Sequence, residues 1–330
     1  MQRFNVIGAV PTVDGAASAA IVARTSISSC EVLFFESDRL SEFFTSDVQS
    51  KLPGFYTLVL CGHEVVHTDW DGRLMRPHLM DVLRAFVSPV LWLSAAPWEP
   101  EDTAAIQHII GESNLIVGDY TASTAALARS HFFKAGDTYA DNLVRLAGPP
   151  RRDEEPEWVS KWRRVLSALR NDPVRLREAL QPLIEERPQD MGAGLIAAAE
   201  RVEKENSDDV ARTVGEPVDM GEFKFVTVAV PPGRHAFWRE ISDCARAKTG
   251  AHLCLCRLTG RSVLILSCGR EARVDLRPWA QYATDMLPNV TAFGRRPDAV
   301  PLHVRGLKDD PTLEQKVIGM LHEGAHLLST

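Results

Sequence analysis

Alternating strand-like and helix-like segments fill the first 130 residues. Short apolar runs rich in β-branched residues alternate with segments in which apolar residues recur at spacings of three and four. The alternation is typical of βαβ units, and near-continuous apolar strands are typical of a parallel sheet that helices cover on both faces. The predicted strands cover residues 4–10, 31–36, 56–61, 89–93 and 114–118, and the predicted helices cover residues 15–25, 76–87, 100–110 and 123–133.

A proline-rich and charged segment, residues 148–156, interrupts this pattern and is typical of a linker. Helical spacing resumes after it, and strand-like runs return near residue 223, including a hairpin around Thr259 and Gly260. The predicted helices cover residues 158–169, 172–185, 191–207, 236–248 and 313–328, and the predicted strands cover residues 223–230, 253–258 and 262–266.

We therefore predict an α/β protein with three parts. Residues 1–147 form a parallel-sheet domain, residues 148–215 form a linker and helical connector, and residues 216–330 form a smaller α/β domain with a mixed sheet. A chain of 330 residues is longer than one ordinary core needs, which agrees with two domains.

Composition narrows the class of protein. No apolar run reaches the roughly 18 residues of a membrane span, and the N-terminal residues lack the layout of a signal peptide, so we expect a cytoplasmic protein without membrane contact. Six scattered cysteines without a CxxC pair predict buried thiols, not a disulfide framework or a zinc knuckle. A net charge of −7 disfavours broad attraction to nucleic acid but leaves room for a local basic groove.

Three segments close predicted strands of the first domain. They read Val10-Pro-Thr-Val-Asp-Gly-Ala-Ala-Ser18, Leu91-Trp-Leu-Ser-Ala-Ala-Pro-Trp-Glu-Pro-Glu-Asp102 and Asp119-Tyr-Thr-Ala-Ser-Thr-Ala-Ala-Leu127. Their order, with residues 262–276 and 291–299 in the last third, resembles the Asp-His-His phosphoesterases with their associated substrate-binding domain. That superfamily includes RecJ nucleases, nanoRNases and exopolyphosphatases. The resemblance spans nearly the whole chain.

The resemblance implies two divalent metals, and the ligands that it implies are mostly replaced. The family's first motif reads His-x-Asp-x-Asp-Gly-x-x-Ser; Asp14 is kept, whereas Val10 and Thr12 stand at the two preceding ligand positions. Manganese and magnesium need oxygen or imidazole donors, so one surviving ligand cannot hold two metals. The second motif's Asp falls at Cys61 or Gly62, and the signature Asp-His-His has become Ser94, Ala95 and Ala96.

The glycine-rich tract of the substrate-binding domain is also altered. It appears here as Phe293-Gly294-Arg295-Arg296, with one glycine kept and two guanidinium groups added. Because arginine binds phosphate in bidentate fashion, Arg295 and Arg296, together with Arg270, are candidate phosphate ligands. The alternative is that these arginines, with Arg273 and Arg277, are solvated charges offset by Asp275 and Asp298.

These observations predict a degenerate relative of the phosphoesterases that lacks two-metal hydrolysis and needs no cofactor. We expect a binding or regulatory module for a nucleotide, a short single-stranded nucleic acid or a protein partner. A structural role, with the old cleft filled by Trp92 and Trp98, is a third interpretation.

Two enzymatic alternatives remain open at this point. A rebuilt manganese or magnesium site could use Asp14, His63, His67, Asp69, Asp71 and Asp119. The alternatives are that Asp14 and Asp119 cap helices, as Asp commonly does, and that the other four residues belong to a polar surface loop. The segment His322-Glu-Gly-Ala-His326 matches the HExxH pattern of zinc peptidases, which requires both imidazoles on one face of a helix. Otherwise these residues form the polar face of a C-terminal helix.

Overall fold

The computed structural model describes residues 4–26, 30–45, 56–67, 74–119, 122–133, 136–148, 155–269, 274–293 and 297–328. Contacts divide the chain into two compact units, Met1–Val202 and Glu203–Thr330. The predicted division into three parts stays a prediction. No helix within the described ranges combines the length and apolar character that crossing a membrane requires.

The first unit contains a five-stranded parallel sheet, as the sequence predicts. Its order is β2-β1-β3-β4-β5, so the chain moves outward from β1 first in one direction and then in the other. In sheets of this kind, ligands bind beyond the carboxyl ends of the strands where the direction reverses, here at β1 and β3. The strands are β1 (Phe4–Ala9), β2 (Glu31–Phe34), β3 (Tyr56–Cys61), β4 (Val90–Ser94) and β5 (Leu115–Val117).

Helices cover both faces of this sheet, which explains its nearly continuous apolar strands. Side chains alternate between the faces: Val59 and Leu93 lie in the core beside α1, whereas Leu58 and Trp92 lie in the core on the opposite face. The described helices are α1 (Val13–Arg24), α2 (Leu40–Thr45), α3 (Arg76–Ala85), α4 (Pro100–Ile110), α5 (Thr124–Phe132), α6 (Thr138–Ala147), α7 (Glu157–Ala168), α8 (Pro173–Ile184) and α9 (Ala193–Thr213).

Helices α7 and α8, from the predicted connector, belong to the core of the first sheet. Trp162 and Leu166 of α7 and Leu176 and Leu180 of α8 are buried in one cluster with residues of α1 and β1. Helix α6 was not predicted, although Asp137 gives it a recognisable start by accepting a hydrogen bond from the amide of Ala140 at 2.8 Å.

The second unit contains a six-stranded mixed sheet of order β10-β11-β9-β8-β7-β6, which confirms the predicted fold class. Strands β7 and β8 are parallel because α10 crosses between them, and the remaining neighbours are antiparallel. The strands are β6 (Val218–Met220), β7 (Phe223–Val230), β8 (Leu253–Leu258), β9 (Val263–Cys268), β10 (Val290–Ala292) and β11 (Ala299–Val304). The helices are α10 (Trp238–Thr249), α11 (Arg277–Met286) and α12 (Thr312–Glu323).

Strand β11 was missed because Pro301 argues against a strand inside a sheet. The register of β11 explains why the sheet tolerates this proline. The carbonyl of Pro301 accepts from the amide of Phe293 at 3.0 Å, and β10 ends at Ala292, opposite Leu302. The nitrogen of Pro301 therefore points past the end of β10, where the ladder needs no donor.

Candidate functional site

The carboxyl ends of β1, β3, β4 and β5 lie level with one another. The amide of Val10 donates to the carbonyl of Cys61 at 3.1 Å, and that of Gly62 donates to Leu93 at 2.8 Å. The amide of Gly118 donates to the carbonyl of Ser94 at 2.7 Å. The structure therefore brings the first three predicted motifs to one edge of the sheet, as the resemblance implies.

The carboxylate of Asp14 binds the N-terminus of α5. Its Oδ2 accepts from the amide of Thr124 and its Oδ1 accepts from the amide of Ala125, both at 2.9 Å. The expectation that Asp14 caps its own helix is wrong, because Thr12 is the N-cap of α1 and accepts from Gly15 at 3.0 Å. Both oxygens of the retained motif residue are thus used in binding a second helix.

Val10 lies close to Gly15 and Gly62. A Cβ atom placed on Gly62 would lie 2.7 Å from Cγ2 of Val10, and one placed on Gly15 would lie 2.1 Å from the Val10 carbonyl oxygen. Gly62 also has a φ of +78°, a backbone conformation that favours glycine. An apolar side chain therefore packs tightly where the resemblance implies an imidazole.

Internal contacts or burial involve all three residues that stand at the signature motif, Ser94, Ala95 and Ala96. The buried hydroxyl of Ser94 accepts from Nε1 of Trp98 at 3.3 Å, and the amide of Ala95 donates to Oγ1 of Thr124 at 3.3 Å. Ala96 is buried. Trp98 packs edge-on against buried Trp92, with ring centroids 4.9 Å apart.

Cys61 is a poor substitute for a carboxylate. Its side chain is buried, and burial raises the pKa of the thiol far above its ordinary value, with the nearby charge of Asp14 acting in the same direction. The sulfur is therefore a neutral thiol, whereas metal coordination requires the thiolate.

His63 points away from the motif residues, towards the end of β2. Its ring stacks on Phe35 with centroids 4.5 Å apart, and its Nδ1 lies 3.4 Å from Oγ of Ser37. Complete burial lowers the pKa of His63 to about 3, with the Gly8 backbone acting in the opposite direction. His63 is therefore a neutral core histidine.

His67 belongs to a separate polar group that includes residues missed in the sequence. Its Nε2 lies 2.6 Å from Oδ2 of Asp102, and Nε of Arg76 donates to Oδ1 of the same carboxylate. Asp102 is buried in the first turn of α4, whereas the side chains of His67 and Arg76 are 52% and 32% exposed. In the sequence, Asp102 is only an acidic residue near a predicted helix start, a position that is usually explained by a favourable interaction with the helix dipole.

The described residues of the rebuilt metal site do not form a group of three or more possible metal ligands. Asp14, His63 and His67 have the separate partners given above, and Asp119 is exposed. The cap of α5 is Ser123, which accepts from Ala126 at 3.1 Å, so the expectation that Asp119 caps this helix is wrong. Asp69 and Asp71 lie outside the described residues. Within those residues, no three His, Cys, Asp or Glu side chains form a group able to hold a metal ion.

The predicted phosphate ligands Arg270, Arg295 and Arg296, like Arg273, lie outside the described residues. Of the neighbouring charges, Arg277 pairs with Asp275 at 2.6 Å. Asp298 pairs with Arg239 at 3.1 Å.

A buried polar network lies beneath α10 in the second unit. Nη1 of Arg246 donates to the hydroxyls of Ser242 at 2.7 Å and Ser267 at 3.0 Å. Those two hydroxyls lie 2.6 Å apart. The network joins α10 to β9, and sequence spacing gave no indication of it.

The HExxH segment does not form one helical face. Helix α12 ends at Glu323, and His326 lies in a short 3₁₀ helix that follows Gly324, so the predicted helix to residue 328 is too long. The ring of His322 packs edge-on against Phe225 at 5.5 Å, while Nδ1 of His326 lies 3.2 Å from the carbonyl of Glu323. The two imidazoles thus have separate local contacts.

Comparison with solved structures identifies the fold. The DHH domain of a member of a ribosomal-protein family superposes with a TM-score of 0.62 at 12% identity, covering 100% of this chain and 88% of that one. The chain has the DHH fold. Exonuclease RecJ bound to manganese gives a TM-score of 0.51 at 11% identity, with 98% of this chain and 90% of that chain covered.

A second RecJ structure, from Thermus thermophilus in complex with Mn²⁺, gives a TM-score of 0.55 at 11% identity. It matches 98% of this chain, which spans about half (52%) of that protein. No family model and no curated protein sequence matches the chain. The similarity to DHH proteins therefore lies in the fold.

Proposed function

We propose that this protein is a DHH-fold binding module for a nucleotide or short single-stranded nucleic acid, without two-metal phosphodiester hydrolysis. The fold is shared with an exonuclease, which supports a nucleic-acid or nucleotide ligand. In this proposal the ligand site is the crevice of the first unit, at the carboxyl ends of β1, β3, β4 and β5. Arg270, Arg295 and Arg296 of the second unit stay the phosphate ligands that the sequence predicts. A protein partner that uses the same surfaces is the alternative role for such a module.

One observation carries the proposal: both carboxylate oxygens of Asp14 accept hydrogen bonds from the amides of α5. A metal bound to Asp14 would compete with these amides for the same oxygens. The neighbouring positions add an apolar Val10, a buried neutral Cys61 and the side chains of Ser94, Ala95 and Ala96. This set of donors does not fit two hard divalent cations.

Hydrolysis tests the catalytic half of the proposal. Purified protein is incubated with manganese and a short RNA or bis-p-nitrophenyl phosphate, beside the variant Asp14→Ala. We expect no turnover above buffer, because no pair of metals is available to bind the attacking and leaving oxygens. Manganese-dependent turnover that disappears in Asp14→Ala would overturn the proposed absence of hydrolysis. Turnover that persists in the variant indicates a contaminant.

Ligand binding tests the other half. Fluorescence anisotropy of a labelled oligonucleotide should show binding that weakens with salt, as contacts to phosphate require. Arg295→Ala/Arg296→Ala should weaken it further, whereas Arg84→Ala, which removes an exposed cation paired with Asp81, should not. Absence of binding at low salt contradicts the proposal and favours a protein partner or a structural role.

The second candidate function is a phosphoesterase with a rebuilt metal site. It is favoured by the two aspartates, Asp69 and Asp71, that closely follow His67 in the sequence. Metal analysis separates the candidates, because about two manganese per chain supports hydrolysis by the two-metal route. One zinc per chain that is lost in His322→Ala would instead support the peptidase alternative.

A further inference from the structure

The group formed by His67, Asp102 and Arg76 has the features of an anion site. Asp102 is 3% exposed, and each of its carboxylate oxygens accepts a hydrogen bond from a different basic side chain. Buried carboxylates need such partners, and two of them restrict the rotamers of His67 and Arg76. The buried acid therefore holds two half-exposed basic groups in fixed positions.

The hydrogen bonds also determine which atoms face outward. A carboxylate only accepts, so Nε2 of His67 carries the proton that Asp102 binds, and Nδ1 is directed elsewhere. Arg76 uses Nε on Asp102. Among the described residues, neither Nδ1 of His67 nor either Nη of Arg76 has a hydrogen-bond partner.

The group lies at the ligand-binding edge of the first sheet. His67 follows β3, Arg76 begins α3, and Asp102 lies in the first turn of α4, which follows β4. Three separate chain segments thus converge beyond the carboxyl ends of the strands, where sheets of this order bind ligands. The positive end of the α4 dipole also favours an anion.

We propose that Arg76 and His67 bind the terminal phosphate monoester of a nucleotide ligand, with Asp102 as the positioning residue. The two Nη groups of Arg76 match the spacing of two phosphate oxygens, and Nδ1 of His67 forms a hydrogen bond with a third. This inference rests on the proposed function and deepens it, because it selects ligands with a free phosphate end.

Two dinucleotides that differ in one group give the test. Calorimetric titration compares thymidine dinucleotide carrying a 5′-phosphate with the same dinucleotide lacking it, using the full chain at low salt. We expect the phosphorylated compound to bind about tenfold more tightly, the size of effect that one charge-assisted contact provides. Arg76→Gln and His67→Gln should each abolish most of this preference.

Matched controls are available on α3. Arg84 and His78 are exposed residues of the same helix, and Arg84→Gln or His78→Gln should leave the preference unchanged. Thermal unfolding of each variant confirms that it is folded, and Arg76→Lys, which keeps the charge but loses the fork, should recover only part of the preference.

The outcomes separate this inference from the proposed function. Equal binding of both dinucleotides, or a preference that survives Arg76→Gln, overturns the phosphate site and leaves the proposed function standing. If neither dinucleotide binds, the proposed function fails. Titration with inorganic phosphate then tests the phosphate site separately. Unchanged nuclear magnetic resonance shifts of the His67 ring at high phosphate concentration would overturn it.

Discussion

At the scale of single residues, the crevice differs from a metal centre in how its polar groups are used. Asp14 satisfies two backbone amides at the start of α5, and Thr124 of that helix in turn accepts from the amide of Ala95. A carboxylate that neutralises a helix N-terminus contributes to stability. Asp14 therefore has a structural role at this edge of the sheet.

We expect Asp14→Ala to lower the free energy of unfolding by about 2 kcal/mol, because two amides lose a charged acceptor. Asp14→Asn keeps one carbonyl oxygen and should have an intermediate effect. Urea denaturation measures both, with Asp81→Ala as a control, since Asp81 forms an exposed pair that contributes little. Equal stability of Asp14→Ala and Asp81→Ala would contradict the assigned role.

The buried imidazole of His63 makes stability depend on pH. Its pKa is about 3 in the folded protein and 6.5 as an ordinary value, so between these values only the unfolded chain binds the proton. Stability therefore rises with pH across this window and is lost as pH falls, by about 1.4 kcal/mol per pH unit.

The comparison of wild type with His63→Gln isolates this effect. The wild type should lose stability more steeply than the variant between pH 6.5 and about pH 5, because glutamine does not titrate. Urea denaturation at several pH values gives the two slopes, and parallel slopes would show that His63 is protonated in the folded state.

At the scale of elements, packing between the ends of β1 and β3 depends on glycine. Gly62 combines a positive φ with close contact to Val10. Gly136, in the same unit, has a φ of +102°, and no atom of the described residues lies within 4 Å of its missing Cβ. We expect Gly136→Ala to cost about 1 kcal/mol for its backbone conformation alone. Gly62→Ala should cost at least twice as much, because it also displaces Val10.

The double variant Val10→Ala/Gly62→Ala tests this contact. Removing the Val10 methyl groups should relieve part of the Gly62→Ala effect, with a coupling free energy of about 1 kcal/mol in urea denaturation. Strict additivity of the two substitutions would mean that the Val10 side chain does not fill this space.

An element could be predicted from the sequence when its bounds depend only on residues close to it in the chain. Strands such as β3, β7 and β8 have the predicted bounds because their apolar runs are followed directly by Gly62, Pro231 and Thr259, which are typical of turns. Strand β11 was missed because the tolerance of Pro301 depends on where β10 ends, which is a property of the register. The Asp102 group was missed for a similar reason: its partners lie 26 and 35 residues earlier in the chain.

At the scale of the whole molecule, the hydrophobic core of the first sheet includes helices that lie beyond the predicted βαβ segment. The cluster beside α1 includes buried residues of α7 and α8, among them Trp162 and Leu180. We expect a fragment of residues 1–147 to lack a cooperative urea transition, because it exposes this surface. A fragment of residues 1–202 should retain the transition and near-ultraviolet circular dichroism; cooperative unfolding of the shorter one would support the predicted boundary.

The contacts of Ser94, Ala95 and Ala96 make this edge of the sheet hard to convert into a metal site. Substituting Ser94, Ala95 and Ala96 with Asp, His and His would place an imidazole at buried position 96, while Val10 still packs at the end of β1. Asp14 would still be bound to α5. A two-metal site at this edge would therefore require repacking around Val10 and a new partner for the N-terminus of α5 at the same time as the new metal ligands.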